Sequence, residues 1–411
     1  MIKFDMNFSE ERIRVKPKIV ILGIGGAGGN MLQSVSESGI MHVELVALNT
    51  DIQALETLQI ENKIVLGESL TSGMGTGANP DVGKVAVEEN IDQILEIIAD
   101  SDIVFLLAGL GGGTGSGALP VLARILQEKQ ILSVALVTRP FFFEGGRRMQ
   151  VAQTALQKIE EIVDTLIVIP NQKLFESENS ENISLVAAFN RINSVVVDCV
   201  KAVTNTIFSP GHINVDFADI KTTMTRMGKA VIGIGKGNGE KRAFDAIQNA
   251  LSCPLLEHNS LKGARSILLN IHGDDTLSLQ EMNIIASYVH DEVHPEAHII
   301  VGNSLKKGSG NDEVSLTIIA TGFEDQLKSR LQNKNHLNYS QQYTYGMSSH
   351  GGFKDAQMKT GATQQLTHQG QPHTQNIQDK VSFDTHRYQE QFNKNVDIPT
   401  FFRNQSTIDK Q

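Results

Sequence analysis

Short apolar runs alternate along this chain with longer stretches of helical period. Lys18 to Gly23, Val43 to Leu48, Ile64 to Leu66, Ile103 to Ala108, Ser133 to Thr138 and Leu166 to Ile169 read as strands. Helical patterns lie between them: one through about Ser38, one over roughly Val82 to Ala99, and one from Ala118 to Leu126 with Pro120 in its first turn. Strands alternating with helices predict a parallel sheet covered on both faces.

Leu185 to Phe208 keeps helical spacing through Val186, Phe189, Ile192, Val196, Val200, Val203 and Ile207. Extra apolar residues at Val195, Val197 and Cys199 widen the stripe, so a long helix buried on most sides is expected between two layers or domains. Strand patterns at Lys229–Gly235, Ser266–Ile271, His298–Val301 and Val314–Thr321, with helices at about Glu240–Ser252 and Leu277–Val289, predict a second, smaller α/β unit. From Asn335 to Lys394 the chain turns to Gln, Asn, His, Ser, Thr and Gly. Such a segment buries too little apolar surface to offset its ordering entropy, so it reads as disordered. Apolar residues return in Asp397-Ile398-Pro399-Thr400-Phe401-Phe402-Arg403, which reads as a docking peptide. The predicted divisions are 1–16 (flexible), 17–184 (nucleotide-binding), 185–209 (central helix), 210–323 (second domain), 324–395 (linker) and 396–411 (docking peptide).

Glycine and polar stretches fall at the carboxyl ends of the predicted strands, where ligands of such sheets bind. Gly23-Ile24-Gly25-Gly26-Ala27-Gly28-Gly29-Asn30 follows the first strand, and Gly111-Gly112-Gly113-Thr114-Gly115-Ser116-Gly117 follows the fourth. Glycine lets backbone N–H groups crowd onto an anion, and a helix start adds free donors. Thr114 and Ser116 add hydroxyls able to reach phosphate or a metal-bound water. A third glycine-rich stretch runs from Gly73 to Pro80. Gly23, Gly25 and Gly28 match the dinucleotide fingerprint, which alone is a weak signal for an NAD-type oxidoreductase. The second loop favours a mononucleotide triphosphate, and the Walker lysine pattern is absent.

Composition narrows the ligand. Net charge is −10, but residues 326–411 hold ten basic and six acidic residues, leaving the body near −14. An acidic body argues against nucleic acid. No run of about 18 apolar residues is present. The two cysteines, Cys199 and Cys253, sit in apolar helical patterns and read as buried thiols. No Cys/His cluster has zinc spacing.

Asn214-Val215-Asp216-Phe217-Ala218-Asp219 is the other candidate for chemistry. Asp216 and Asp219 share a face if helical, with Asn214 as the N-cap. They suit either the dipole-favoured first turn of a helix or carboxylates that orient water. A 24-residue helix carries this segment on the order of 35 Å from the ligand edge. The carboxylates then reach a nucleotide only in a neighbouring copy.

These motifs together resemble the FtsZ family, the bacterial tubulin-like cell-division GTPases. The likeness covers residues 17 to 323 and the last fifteen or so. It rests on Gly111–Gly117, Ala47-Leu48-Asn49-Thr50-Asp51, Gly75–Pro80, Pro140–Gly145, Asn214–Asp219 and Asp397–Phe401. The resemblance implies a tubulin/FtsZ-like α/β fold with a parallel sheet, a long central helix and a smaller second domain. It implies GTP phosphates held by Gly25, Gly26, Ala27, Gly28, Gly29, Asn30, Gly111, Gly112, Gly113, Thr114 and Gly115. Glu144 and Arg148 would lie on the ribose and phosphate side, with Asn171 and Asn193 facing guanine. Asp216 and Asp219 would act in trans, supported by Asn214, with Mg²⁺ held mainly by phosphates and water. Ile398, Pro399, Phe401 and Phe402 would dock on membrane-tethering adaptors, so the membrane is reached only indirectly, from the cytoplasm at mid-cell. A nucleotide-holding accessory or plasmid-segregation filament is the alternative. Ser194, Phe142 and Ala27 depart from the residues frequent in the family at those positions.

Overall fold

The computed structural model describes residues 16–175, 183–208, 216–256, 261–306 and 312–323. The expectations for the N-terminal segment, Asn214, the linker and Ile398, Pro399, Phe401 and Phe402 lie outside the described residues.

The predicted parallel sheet is present. Its strands β1 (Ile19–Ile24), β2 (Val43–Asn49), β3 (Asn62–Val65), β4 (Ile103–Gly109), β5 (Leu132–Arg139) and β6 (Thr165–Pro170) lie in the order β3-β2-β1-β4-β5-β6. Their apolar runs reflect burial on both faces. Ile19 and Ile21 join a core under α1 (Gly25–Glu37) and α8 (Leu185–Phe208). Val20, Leu22 and Ile24 join another under α4 (Pro80–Glu89), α5 (Ile91–Ile98), α6 (Thr114–Lys129) and α7 (Gly146–Glu160).

The second half contains β7 (Gly228–Asn238), α10 (Arg242–Leu251), β8 (Ser266–Asp274), α11 (Leu279–Glu292), β9 (His298–Lys306) and β10 (Glu313–Thr321). β10 runs antiparallel to β7 and β8, and β9 pairs parallel with β8. This half, the expected second α/β domain, continues the sheet of the first. β7 pairs with β6 over Thr165↔Gly228, Leu166↔Lys229 and Ile167↔Ala230, giving one ten-stranded sheet. The core under α8 also crosses the join, taking in Ile232, Leu268, Ile300 and Ile319.

Three helices differ from the pattern. α6 begins four residues before the expected start, inside the glycine loop, so Pro120 lies in the helix interior rather than its first turn. The stretch after Pro80 is two helices, broken at Asn90 (φ −104°, ψ 19°), whose Oδ1 accepts from Gly67 N–H at 2.8 Å. An Asn side chain that bonds backbone elsewhere competes with helix continuation. The apolar stripe of α8 is buried from Ile192 to Val203, but the helix start protrudes, with Val186 70% and Phe189 41% exposed.

Candidate functional site

The carboxyl edge of β1, β4 and β5 carries three helix starts with no side-chain cap. α1, α6 and α7 begin after Ile24, Gly113 and Gly145, none makes a cap hydrogen bond, and none has an acidic residue in its first turn. By contrast Asp51, Asn79 and Ser278 each cap their own helix through a side-chain oxygen. In α6 the first intrahelical donor is Gly117 N–H, to Gly113 O at 2.9 Å. The N–H groups of Thr114, Gly115 and Ser116 therefore have no helical acceptor. Converging uncapped helix starts are an anion site.

Space at this edge is selective. A methyl on Gly26 or Gly112 would meet nothing within 4 Å. A methyl on Gly115 would lie 2.6 Å from Gly109 O, and one on Gly113 would lie 2.7 Å from Asn79 N. Gly111 has φ 104°, which favours glycine. Most glycines of the loop thus serve close packing, while Gly26 and Gly112 border the open cradle. Gly26, Ala27 and Asn30 are the exposed members of the first loop, and Gly25, Gly28 and Gly29 are buried behind them.

The hydroxyls of Thr114 and Ser116 brace the loops. Thr114 Oγ1 lies 2.8 Å from Thr50 Oγ1, and Ser116 Oγ accepts from Gly111 N–H at 2.9 Å. Thr50 O also accepts from Gly75 N–H at 3.0 Å, tying the third glycine stretch to the cradle. Thr50 was not among the expected site residues; its only sequence signal was its place in Asn49-Thr50-Asp51 at a strand end.

Glu144 and Arg148 lie at the start of α7 and pair with each other: Arg148 Nη1 donates to Glu144 Oε2 at 2.7 Å. Glu144 Oε1 also accepts from Phe141 N–H at 2.9 Å. Asn171, just past β6, is buried, and its Oδ1 has no partner. A buried carbonyl without a donor costs free energy, so it awaits one. Asn193 is half-buried on α8, one turn beyond Phe189. Phe141 stacks on Phe143 with ring centroids 5.1 Å apart and meets Phe189 edge-on at 5.7 Å. These rings form an aromatic cluster beside Asn193, built from the Phe141-Phe142-Phe143 run and Phe189. Ser194 Oγ donates back to Arg191 O at 2.8 Å.

Asp216 and Asp219 are exposed, on a different edge. Asp216 is the N-cap of α9 (Phe217–Met224), replacing Asn214 in the expected role. α9 leads into Gly228 of β7, which pairs with Thr165 at the start of β6, so α9 sits at the amino edge of the sheet. The eight residues of β5 put on the order of 25 Å between the two edges.

Residues 18–179 match the GTPase domain of the Tubulin/FtsZ family, and residues 228–324 match the C-terminal domain of the FtsZ family. The chain belongs to the FtsZ family. Cell division protein FtsZ of Caulobacter vibrioides is 43% identical over 320 residues, covering 78% of this chain and 63% of that protein. That of Aquifex aeolicus is 43% identical over 309 residues, covering 75% and 84%. An empty FtsZ dimer from M. jannaschii superposes with a TM-score of 0.71 at 39% identity, covering 76% of this chain and 90% of that one. The described residues of this family member contain no group of three His, Cys, Asp or Glu able to hold a metal. No described helix is long and apolar enough to cross a membrane. Cys199 and Cys253 are free and buried as expected, and burial pushes the Cys199 thiol well up.

Proposed function

We propose that the protein is a GTPase that polymerises head to tail and hydrolyses GTP at a site shared by adjacent copies. The observation that carries this reading is the separation of the donor-lined cradle from Asp216 and Asp219 by the depth of the sheet. The cradle has donors for phosphate and no catalytic carboxylate; α9 has exposed carboxylates and no cradle.

In this reading the N–H groups of Gly26 to Asn30 and Gly111 to Gly115 hold the phosphates. Glu144 and Arg148 border the ribose and phosphate side. Asn171 offers its unpaired carbonyl to guanine, with Asn193 nearby. Asp216 and Asp219 of the next copy orient the attacking water and accept its proton. Asn214 supports that segment. Mg²⁺ would neutralise phosphate charge; among the described residues no carboxylate cage stands ready for it, so phosphates and water would hold it.

The filament is read as the cytoskeletal element of the cell-division ring, at mid-cell on the cytoplasmic face of the membrane. Ile398, Pro399, Phe401 and Phe402 dock on a membrane-tethering adaptor. The test is Asp219→Ala. GTP binding should persist while hydrolysis in the polymer is nearly lost, and parental activity per subunit should rise steeply with concentration. A concentration-independent GTPase rate would sink the shared site.

A further inference from the structure

The helix that carries Asp216 and Asp219 is held to the GTP-binding half at one corner. The two sheet halves meet through only three residue pairs, beginning at Thr165↔Gly228. Asp164, the residue before β6, collects the bonds at that corner. Its Oδ2 accepts from Ser133 N–H and from Ser133 Oγ–H, both at 2.9 Å. Its Oδ1 accepts from Arg226 N–H at 3.2 Å, and its carbonyl accepts from Met227 and Gly228 N–H, each at 2.9 Å. Arg226, held in this way, has φ 54°, a conformation that non-glycine residues seldom adopt without such support.

The last turn of α9 is tied in the same place. Thr165 Oγ1 donates to Met224 O at 2.6 Å from the GTP-binding half. Thr321 Oγ1 contacts Thr223 O at 3.4 Å from the second half. The terminal carbonyls of α9, which have no helical donors, are thus met by one hydroxyl from each half. α9 has eight residues and its other end, at Asp216, makes no side-chain cap bond. Ile220 and Met224 anchor α9 in the shared core, and the side-chain hydrogen bond that ties it to the GTP-binding sheet comes from the Asp164–Thr165 end.

The geometry points to Asp164 and Thr165 as positioning residues for the reaction, aiming the α9 carboxylates at the neighbouring copy's nucleotide. This rests on the shared-site reading. Neither residue touches the nucleotide of its own chain, since both lie at the amino edge. Each acts through α9, so its loss should lower turnover in the polymer and leave nucleotide binding intact. A shift of 1 Å in a catalytic group is enough to cost orders of magnitude in rate.

Asp164→Asn is a selective perturbation. The carbonyl oxygen of the amide stays with the two Ser133 donors, and the NH₂ group then faces Arg226 N–H, donor against donor. Thr165→Val removes the bond to Met224 O with little change of shape. Both variants should bind GTP with parental affinity and sediment as polymer. Hydrolysis per sedimented subunit should fall at least fivefold, with KM unchanged. Either variant folding and assembling with parental turnover overturns the assignment, even if its melting temperature falls. Should Asp164→Asn not fold, Thr165→Val alone decides. Asp219→Ala is run alongside: parental turnover there removes the shared-site reading itself, whereas an inactive Asp219→Ala with active Asp164→Asn and Thr165→Val removes only this one.

Discussion

The glycines of the cradle divide by what surrounds them, and alanine substitutions should separate the groups. At Gly112 an added methyl has no neighbour within 4 Å, so the folded chain accepts it without a clash. Alanine also restricts the unfolded chain, so Gly112→Ala should stabilise the nucleotide-free protein by about 0.4–1 kcal/mol. The same methyl stands beside the uncapped start of α6, in the space assigned to phosphate. GTP affinity should drop at least tenfold, about 1.4 kcal/mol. Gly115→Ala should behave in the opposite sense. Its methyl would lie 2.6 Å from Gly109 O, and moving that carbonyl shifts the end of β4. Overpacking of this kind costs roughly 1–3 kcal/mol, so stability should fall before binding is measured. Urea unfolding without nucleotide and GTP titration read the two effects separately. Parental GTP affinity in both Gly112→Ala and Gly26→Ala would refute the placement of phosphate. A larger stability loss in Gly112→Ala than in Gly115→Ala would refute the packing argument.

Two further outcomes follow from buried polar groups. Asn171→Leu removes a buried carbonyl that has no partner, so the nucleotide-free protein should be stabilised by about 1–3 kcal/mol while GTP binds at least fivefold more weakly. Calorimetry with and without GTP checks the pair of signs. In the second half, Arg242 Nε donates to Glu281 Oε1 at 2.6 Å and holds that carboxyl down to about 2 from its usual 4.5. A lowered folded pKa stabilises above the unfolded pKa and is lost as pH falls from about 4.5 through about 2. The shift corresponds to on the order of 3 kcal/mol. Urea unfolding between pH 5 and pH 2.5 should therefore fall less steeply in Glu281→Gln than in the parent, and parallel curves would contradict the assignment.

Most strands were legible because burial on both faces leaves an unbroken apolar run, as in Ile103 to Ala108. The helix starts were not. Glycine is a poor helix former, so a helix beginning Thr114-Gly115-Ser116-Gly117 reads as loop. Gly117 is there because α4 lies against it, where a methyl would strike Pro80 O, and Gly115 because β4 does, at Gly109 O; in return a methyl on Gly83 of α4 would strike Gly113 O. Such demands come from a neighbour distant in sequence and leave no periodic trace. The same holds for the break at Asn90, made by Gly67, and for the single ten-stranded sheet. Three residue pairs between β6 and β7 decide whether there are one or two sheets, and strand pairing has no signature within either strand. At the site, residue types that bind through backbone N–H were found by their glycines. Thr50 and Asp164 were passed over because their work is done on other protein groups across 64 and 62 positions of sequence.

A hinge within one chain cannot substitute for a second copy. The cradle lies at the carboxyl edge and α9 at the amino edge, on the order of 25 Å apart along β5. Between them the sheet is continuous from β3 to β9. The core under α8 is shared by both halves, with Val196, Val200 and Val203 of the helix buried in it beside Ile232 and Ile300. Opening that core far enough to swing α9 around the sheet would expose these side chains at roughly 1.5–3 kcal/mol each. Translation of a second copy along the strand direction meets no such cost, because Asp216 and Asp219 already face outward at one end and the uncapped N–H groups at the other. On the proposed reading, hydrolysis would report contact between copies, and the corner at Asp164 would set how well that contact is aimed.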